Sequence, residues 1–377
     1  MSRYPWIDYA RGITIILVCY RHVFEGLVNV GEGANSFSVL KYINIFFFSF
    51  RMPLFFIISG LFVSLGLSRK GIREYVVQRF SNVFYPLLIW GSLHISLQLL
   101  FAGYVNAQRV PFDYINLVIN PRRIEQFWYL NALFFVGVLY ALIKVKFNVK
   151  AWHQVILGLI FFWTATAIRD RIETGFLFDV LFFYLFFSIG DLLATFILNA
   201  KNYKWLSSWR TFLVIAPVFL FIQHQFTLIN LDRQDDYYVQ YQMPALYVIA
   251  ALIGGGFIIT ICFLLERYKK MQFLRVIGYH SLYIYVMHLM ITAFTRIFFV
   301  RVLGIDQVIP IMIAALVLGI LIPIVFFNLT TRAGLWWLYT FRKKDRIPVY
   351  RSEPLVAAPG LLTPKTSMRE DKTIESN

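Results

Sequence analysis

Trp6-Ile-Asp8-Tyr-Ala-Arg11-Gly-Ile-Thr-Ile-Ile-Leu-Val-Cys-Tyr-Arg21-His22-Val-Phe-Glu25 is the stretch whose reading decides the fold. It has the length and apolar content of a bilayer-crossing helix, which needs about 20 residues. Yet it carries Asp8, Arg11, Arg21, His22 and Glu25. Ionisable groups in a lipid-spanning helix cost several kcal/mol unless they face protein or a water-filled cavity. Arg11 and His22 are eleven positions apart, which at about 100° per residue returns to within about 20° of the same face. The helical rise separates them by roughly 16 Å along the axis. One face therefore offers a fixed cation at one depth and a proton acceptor about half a bilayer away.

The rest of the chain agrees with a membrane setting. Its 377 residues are 59% apolar and 15% charged, with 39 Phe, 22 Tyr and 9 Trp; mean hydropathy is +0.65. A soluble domain carries about 25% charged residues. The net charge of +16 is assigned to loops facing the cytoplasm, as the positive-inside rule requires, and no nucleic-acid partner is expected. Cys19 and Cys262 lie in separate spans and form neither a disulfide framework nor a metal-ligand spacing; no metal site is expected. Arg11 interrupts the first apolar run and no small-x-small cleavage pattern follows it, so the first span is expected to be retained.

Apolar windows suggest roughly ten spans, at 7–28, 39–66, 81–103, 126–145, 152–168, 176–198, 211–230, 244–265, 279–300 and 309–331. Their Phe-, Leu- and Ile-rich interiors favour helices over barrel strands, which would alternate in polarity. Alternate joints are cationic: Arg69, Lys70, Arg73 and Arg79; Lys144, Lys146 and Lys150; Lys201, Lys204 and Arg210; Arg267, Lys269, Lys270 and Arg275; then Arg342, Lys343, Lys344 and Arg346. The intervening joints mix Arg169, Asp170, Arg171 and Glu173, or Asp232, Arg233, Asp235 and Asp236. The expectation is an all-α polytopic membrane bundle of about ten transmembrane helices with both termini cytoplasmic. Residues 1–340 form the membrane-embedded domain and 341–377 a basic, then disordered, cytoplasmic tail. The longest outer joint, 104–125, leads into Trp128-Tyr129 and reads either as an interfacial re-entry with an aromatic belt or as a lid over a polar substrate.

Several constellations could carry chemistry. His22 lies deep in the first span, where a neutral imidazole suits a general base for activating a hydroxyl; Glu25, three residues on, either orients it or marks the interface. Arg51 sits inside an apolar run just before Met52-Pro53, where carbonyls freed by proline call for neighbouring donors or a cavity wall. Arg73 and Arg79 belong to a basic joint that topology alone explains, or that clamps phosphates of a cytosolic nucleotide-bearing donor. No Gly-rich phosphate loop accompanies them. His288 is a second intramembrane imidazole at a depth comparable with His22. Ser92, His94 and Gln98, and Gln223-His224-Gln225, are polar islands that either line a sugar-sized cavity or bond between helices. Asp191 is placed to pair with a lysine of a basic joint.

Taken in order, these residues resemble the acyltransferase-3 family of integral membrane acyltransferases. The resemblance rests on Asp8-x-x-Arg11-Gly12 with ten residues between Arg11 and His22; on Arg51-Met52-Pro53-Leu54-Phe55-Phe56-x-x-Ser59-Gly60; on Arg79 before Tyr85-Pro86; on Trp128-Tyr129-Leu130; and on Gly278-x-x-Ser281-Leu282-x-x-Tyr285-x-x-His288. It covers about residues 5–330. It implies an acyl-CoA donor, commonly acetyl-CoA, arriving from the cytoplasm as co-substrate, with no permanently bound cofactor. It also implies O-acylation of a cell-envelope carbohydrate or glycolipid in a bacterial plasma (inner) membrane. His22 is then the catalytic base and Arg11 part of the donor site, with Arg51, Arg73 and Arg79 binding the acyl donor and Glu25, Trp128, Tyr129, Ser281 and His288 facing the acceptor or its cavity. Asn82 stands where the family often has a second Arg, and Arg51 where His is common. The alternative reading is a transporter of a sugar, lipid-linked sugar or organic anion, which intramembrane charges also suit, although no pair of matching interrupted helices marks an inverted repeat.

Overall fold

A computed structural model describes residues 4–28, 37–103 and 108–345. Most of the expected tail, from 346 onward and including Arg346, and part of the 104–125 joint lie outside these residues. The fold is all-α: α1 (Pro5–Val28), α2 (Ser38–Phe46), α3 (Phe48–Gly60), α4 (Val63–Arg79), α5 (Tyr85–Leu100), α6 (Asp113–Ile119), α7 (Trp128–Lys146), α8 (Ala151–Ile168), α9 (Phe176–Ile197), α10 (Tyr203–Leu206), α11 (Trp209–Asp232), α12 (Tyr238–Gln242), α13 (Pro244–Arg267), α14 (Phe273–Tyr279), α15 (Ser281–Ile297) and α16 (Val308–Arg332).

Among the described residues nine helical segments are long and apolar enough to cross a membrane, and the chain is a multi-pass integral membrane protein. The nine do not include α1, whose Asp8, Arg11, Arg21 and Glu25 dilute its hydropathy. It is nevertheless a 24-residue helix packed along α13, α14, α15 and α16, so its charges face protein, as the cost of placing them in lipid demands. Counting α1, the spans match the ten windows, with two differences. The window 39–66 is interrupted at Phe47 (φ −94°, ψ 8°), and Pro53 lies inside the continuous α3 that follows; the break falls upstream of the proline. The basic joint after it is helical on both sides of Gly71, whose φ of +69° breaks the helix.

Lipid-facing and protein-facing surfaces are told apart by exposure. Leu213, Val214, Leu220 and Phe221 of α11, and Ile313, Val317, Leu321 and Val325 of α16, are exposed. Contiguous apolar surface of that extent belongs in a bilayer rather than in water. The interior is aromatic: Phe56 of α3 stacks on Phe183 of α9 at 4.6 Å and 11°, and Phe182 through Phe187 are buried in one run.

Two backbone crossings fix the bundle. A Cβ on Gly12 would fall into the Leu274 carbonyl, and one on Gly278 into the Asp8 carbonyl, so α1 and α14 meet backbone to backbone. Gly60 and Gly190 do the same for α3 and α9, against the Phe187 and Ile57 carbonyls. Small residues at such crossings are the usual means of close helix association where no hydrophobic force acts between helices.

The joints gather at two ends. At the basic end the Tyr9 hydroxyl donates to the Lys270 carbonyl at 2.7 Å, Arg267 to the Ser207 carbonyl at 2.9 Å, and Arg342 to Glu74 at 3.0 and 3.1 Å. Arg342, flanked by Glu74 and Asp345, has its guanidinium pKa raised by those carboxylates. Lys144 pairs with Asp191, which also accepts from Tyr140 at 2.6 Å, as expected for Asp191. At the opposite end lie the joints around 108–127, 233–243 and 303–307, and beneath them a large cavity.

Candidate active site

The cavity encloses about 930 Å³, at the upper end of ordinary ligand pockets. Its walls come from the C-terminal half of α1, the start of α3, α5, the segment before α7, the α12–α13 region, and the far parts of α15 and α16. His22, Glu25, Arg51 and Trp128 all line it.

His22 is set on α1 one turn before Glu25. Its Nδ1 lies 3.6 Å from Glu25 Oε2, too long for a hydrogen bond but close enough to act on an imidazolium through space. Glu25 Oε1 is held by Arg21 Nη2 at 2.6 Å. Arg21 also donates to the Tyr237 hydroxyl and covers the Phe48 ring at 4.8 Å. The i,i+4 spacing of Arg21 and Glu25 makes this pair local to the helix.

His288 of α15, expected to face the cavity, does not line it: it is fully buried behind His22, its ring centroid 5.3 Å from that of His22. His288 Nδ1 faces the Ile284 and Tyr285 carbonyls at 3.0 and 2.8 Å. Nδ1 must therefore carry the proton, and Nε2 is the bare lone pair; it has no partner among the described residues. The two intramembrane histidines thus face each other.

Arg51 is 2% exposed, and every hydrogen bond it makes among the described residues goes to a neutral acceptor. Nη1 donates to the Leu17 carbonyl at 3.1 Å and Asn44 Oδ1 at 3.2 Å, and Nη2 to the Asn44 carbonyl at 3.2 Å. The Asn44 carbonyl is available because α2 ends at Phe46. A guanidinium held this way keeps its positive field directed at the cavity.

Other expected residues sit elsewhere. Arg11, Arg79 and Tyr129 form a layer below the cavity, where Tyr129 is within electrostatic reach of both arginines. Arg79 donates to Ser59 Oγ and the Tyr75 hydroxyl, each at 3.3 Å, and to the Leu133 carbonyl at 2.7 Å. Tyr129 connects the layers, its ring 5.2 Å from Tyr285, and Tyr285 lines the cavity. Arg73 is exposed on α4, away from the cavity. Ser281 is buried at the first residue of α15 and does not line it.

Of the polar islands, Gln223 binds helices together, accepting from Ser49 Oγ at 2.8 Å and donating to the Ala250 carbonyl at 2.9 Å. His94 and Gln98 do line the cavity. They share it with residues that sequence reasoning did not single out: Glu125, Arg122, Tyr237, Gln240, Tyr247 and Arg296. Arg122 grips Asp179 of α9 through Nε and Nη2 at 2.6–3.0 Å and lies 4.7 Å over the Trp128 ring, fixing that indole on the cavity wall. The clue for His94 and Gln98 was their i,i+4 spacing, which puts both on one face of α5. Nothing local marks Tyr237 or Arg296, which reach the cavity only through tertiary packing. Among the described residues no group of three or more His, Cys, Asp or Glu is disposed around a metal.

Comparison with known proteins identifies the family of the chain. A 145-residue segment, 38% of the chain, is 26% identical to the nodulation protein NolL of Mesorhizobium japonicum, a match that spans 37% of that protein's length. No solved structure matches. The model of the acyltransferase domain matches residues 4–328, which embraces both crossings, both facing histidines and the whole cavity. With that match over most of its length, the chain belongs to the acyltransferase-3 family of membrane acyltransferases.

Proposed function

We propose that the protein transfers an acyl group, acetyl in the simplest case, from cytosolic acyl-CoA to a hydroxyl of a cell-envelope carbohydrate or glycolipid in a bacterial plasma membrane. The basic end faces the cytoplasm, with both termini on that side, as the alternation of basic joints favours. The observation that carries the reading is the pairing of His22 with Glu25 inside a cavity that also holds the neutrally liganded Arg51. A base, a carboxylate to stabilise the charge the base acquires, and a cation for the developing oxyanion then share one space.

The donor enters from the basic end. Arg73, exposed there, meets the phosphates; Arg11 and Arg79 flank the arm at the Tyr129 layer; and the thioester reaches the cavity beside Arg51. The acceptor hydroxyl gives its proton to His22 as its oxygen attacks the thioester carbon. Negative charge on the carbonyl oxygen is met by Arg51, and positive charge on His22 by Glu25. Collapse breaks the carbon–sulfur bond, and the proton on His22 passes to the CoA thiolate. The products are the O-acyl ester and free CoA, with no metal required in this balance. His288, with Nδ1 committed to backbone, packs ring to ring on His22 and holds that imidazole in place.

The test is acetyl transfer from labelled acetyl-CoA to isolated envelope glycans by the purified protein and its His22→Ala variant. The proposal expects label in the glycan with the native protein and a loss of at least about a hundredfold in the variant, within the range for removing a positioned base. A folded His22→Ala protein with full activity would overturn the assignment.

A further inference from the structure

The proposed reaction leaves one wall of the cavity unused, and that wall is the most heavily built. Glu125 lies in the 3₁₀ segment Pro121–Phe127 with φ 51° and ψ −121°, a backbone conformation that L side chains rarely adopt. An outlier of this kind persists only where its surroundings over-determine it, and it points toward function. Those surroundings are three donors: His94 Nε2 at 3.0 Å on Oε2, and Gln98 Nε2 at 3.1 Å and Arg109 Nη2 at 3.0 Å on Oε1. Arg109 is itself clamped, giving Nε to Gln98 Oε1 at 2.7 Å and Nη1 to the Arg123 carbonyl at 2.6 Å. The described part of the segment expected as an interfacial re-entry or a lid, 108–125, is thus tied down and delivers a carboxylate to the cavity.

What this wall lacks is donors for its remaining acceptors. A carboxylate has about four lone-pair sites, and Glu125 Oε2 is bonded to His94 alone among the described residues. His94 spends its Nε2 proton on Glu125, so Nδ1 is a lone pair; it is buried and has no partner. Gln240 Oε1, on the same cavity, is likewise buried without a partner. Buried polar groups are paired in the working state of a protein. Glu125, with acceptor capacity to spare, lines one space with His94 and Gln240, whose unpartnered acceptors are buried beside it, and such a wall calls for a ligand that donates hydrogen bonds and is neutral or positive where it meets them. A ring bearing several free hydroxyls meets that need, whereas a carboxylate or phosphate on this wall would meet Glu125. Trp128 and Tyr247 add aromatic surface to the same cavity for the C–H face of such a ring.

Resting on the acyl-transfer reading, we infer that Glu125, His94, Gln98 and Gln240 form the subsite that holds the acceptor through its unmodified hydroxyls, so that the acceptor presents a pyranoside ring without negative charge at that position. Glu125 is its specificity-determining residue, and Arg109 a positioning residue that holds the Glu125 carboxylate in place.

The experiment uses the full-length purified protein, with methyl α-L-rhamnopyranoside and methyl α-D-glucopyranoside as ring probes and 1,4-butanediol as an open-chain hydroxyl control. Binding is read without donor, as a ligand-induced rise in melting temperature, and transfer separately with labelled acetyl-CoA. The expected result is a rise with at least one glycoside and none with the diol. Glu125→Gln should lose that rise and increase KM for the glycoside about tenfold or more, with a smaller change in kcat, because hydrogen bonds to a charged acceptor are the stronger class. Gln98→Leu, kept as a second variant in case Glu125→Gln does not fold, should weaken glycoside binding in the same sense. Absence of any glycoside response in the native protein would overturn the inference, as would native binding and KM in both variants. Glutamate-dependent binding without any acetyl transfer would leave the subsite standing and refute acyl transfer. Transfer that ignores Glu125 would do the reverse.

Discussion

Replacement of Arg51 by methionine separates the catalytic use of that guanidinium from its structural one. Arg51 is 2% exposed and bonds to the Leu17 carbonyl and to both oxygens of Asn44. None of these is a carboxylate, so the substitution strands no buried countercharge among its hydrogen-bond partners. What is lost is about three hydrogen bonds of a charged donor; what is regained is the desolvation cost of a guanidinium. Exchanges of this kind are commonly close to neutral, and the stability change is expected to stay within about 2 kcal/mol. The transition state is another matter. A unit positive charge about 4 Å from a developing oxyanion contributes about 4 kcal/mol at an effective dielectric near 20, and loss of one oxyanion donor costs about 10²–10³ in kcat. Arg51→Met should therefore cut kcat for acetyl transfer by about 10²–10³ while its thermal unfolding stays near that of the native protein. Arg51→Lys, which keeps the charge but cannot reach both Leu17 and Asn44, should fall between. The assay is single-turnover transfer from labelled acetyl-CoA, with thermal unfolding recorded on the same preparations. Undiminished kcat in a folded Arg51→Met protein would refute the oxyanion role, and so would a loss of activity that merely follows a matching loss of stability.

Other outcomes follow from the same geometry. Gly278→Ala drives a Cβ into the Asp8 carbonyl at the α1–α14 crossing and should cost about 3 kcal/mol or more, seen as a large fall in melting temperature or failure to isolate a monodisperse protein. Arg122→Met leaves the Asp179 carboxylate, fully buried, without its partner and should destabilise by about 3–5 kcal/mol. The double change Arg122→Met with Asp179→Leu should recover most of that in the same unfolding measurement. His288→Phe removes the Nε2 lone pair beside His22 while preserving ring bulk, and should lower kcat about tenfold with little effect on KM for the donor, measured by steady-state transfer.

The spans were legible because burial in lipid forces long apolar windows, and the ten windows correspond to α1 and the nine apolar segments apart from the break at Phe47 and the helical joint around Gly71. α1 is the instructive case. Its charges weaken it as a hydropathy signal, yet those same charges were the reason to read it as the wall of a site. His22, Glu25, Arg51 and Trp128 reach one cavity as their sequence blocks suggested. Arg11 lies at another depth, as its helical rise from His22 required, together with Arg79 and Tyr129, whereas Arg73 and Ser281 lie apart, because the order of motifs on different helices carries no information about their depth in the bundle. Glu125 closes the 104–125 joint, where nothing in the sequence separates it from Arg109, Asp113, Arg122 and Arg123. Its place depends on a backbone turn at φ 51° and on His94 and Gln98 from another helix, which no local periodicity encodes. Tyr237 and Arg296 are likewise products of packing: one meets Arg21 from a joint more than two hundred residues away in sequence, and the other donates to the Gly26 carbonyl at 2.7 Å.

The most direct test of the account is the fate of labelled acetyl groups when purified protein, acetyl-CoA and isolated envelope glycans are incubated together, followed by mass spectrometry of the glycan and measurement of free thiol. The account predicts one acetyl ester on the glycan for each CoA thiol released, with both falling together in His22→Ala. Glycan that gains no acetyl mass while thiol accumulates, or ester formation that survives in a folded His22→Ala protein, would contradict it.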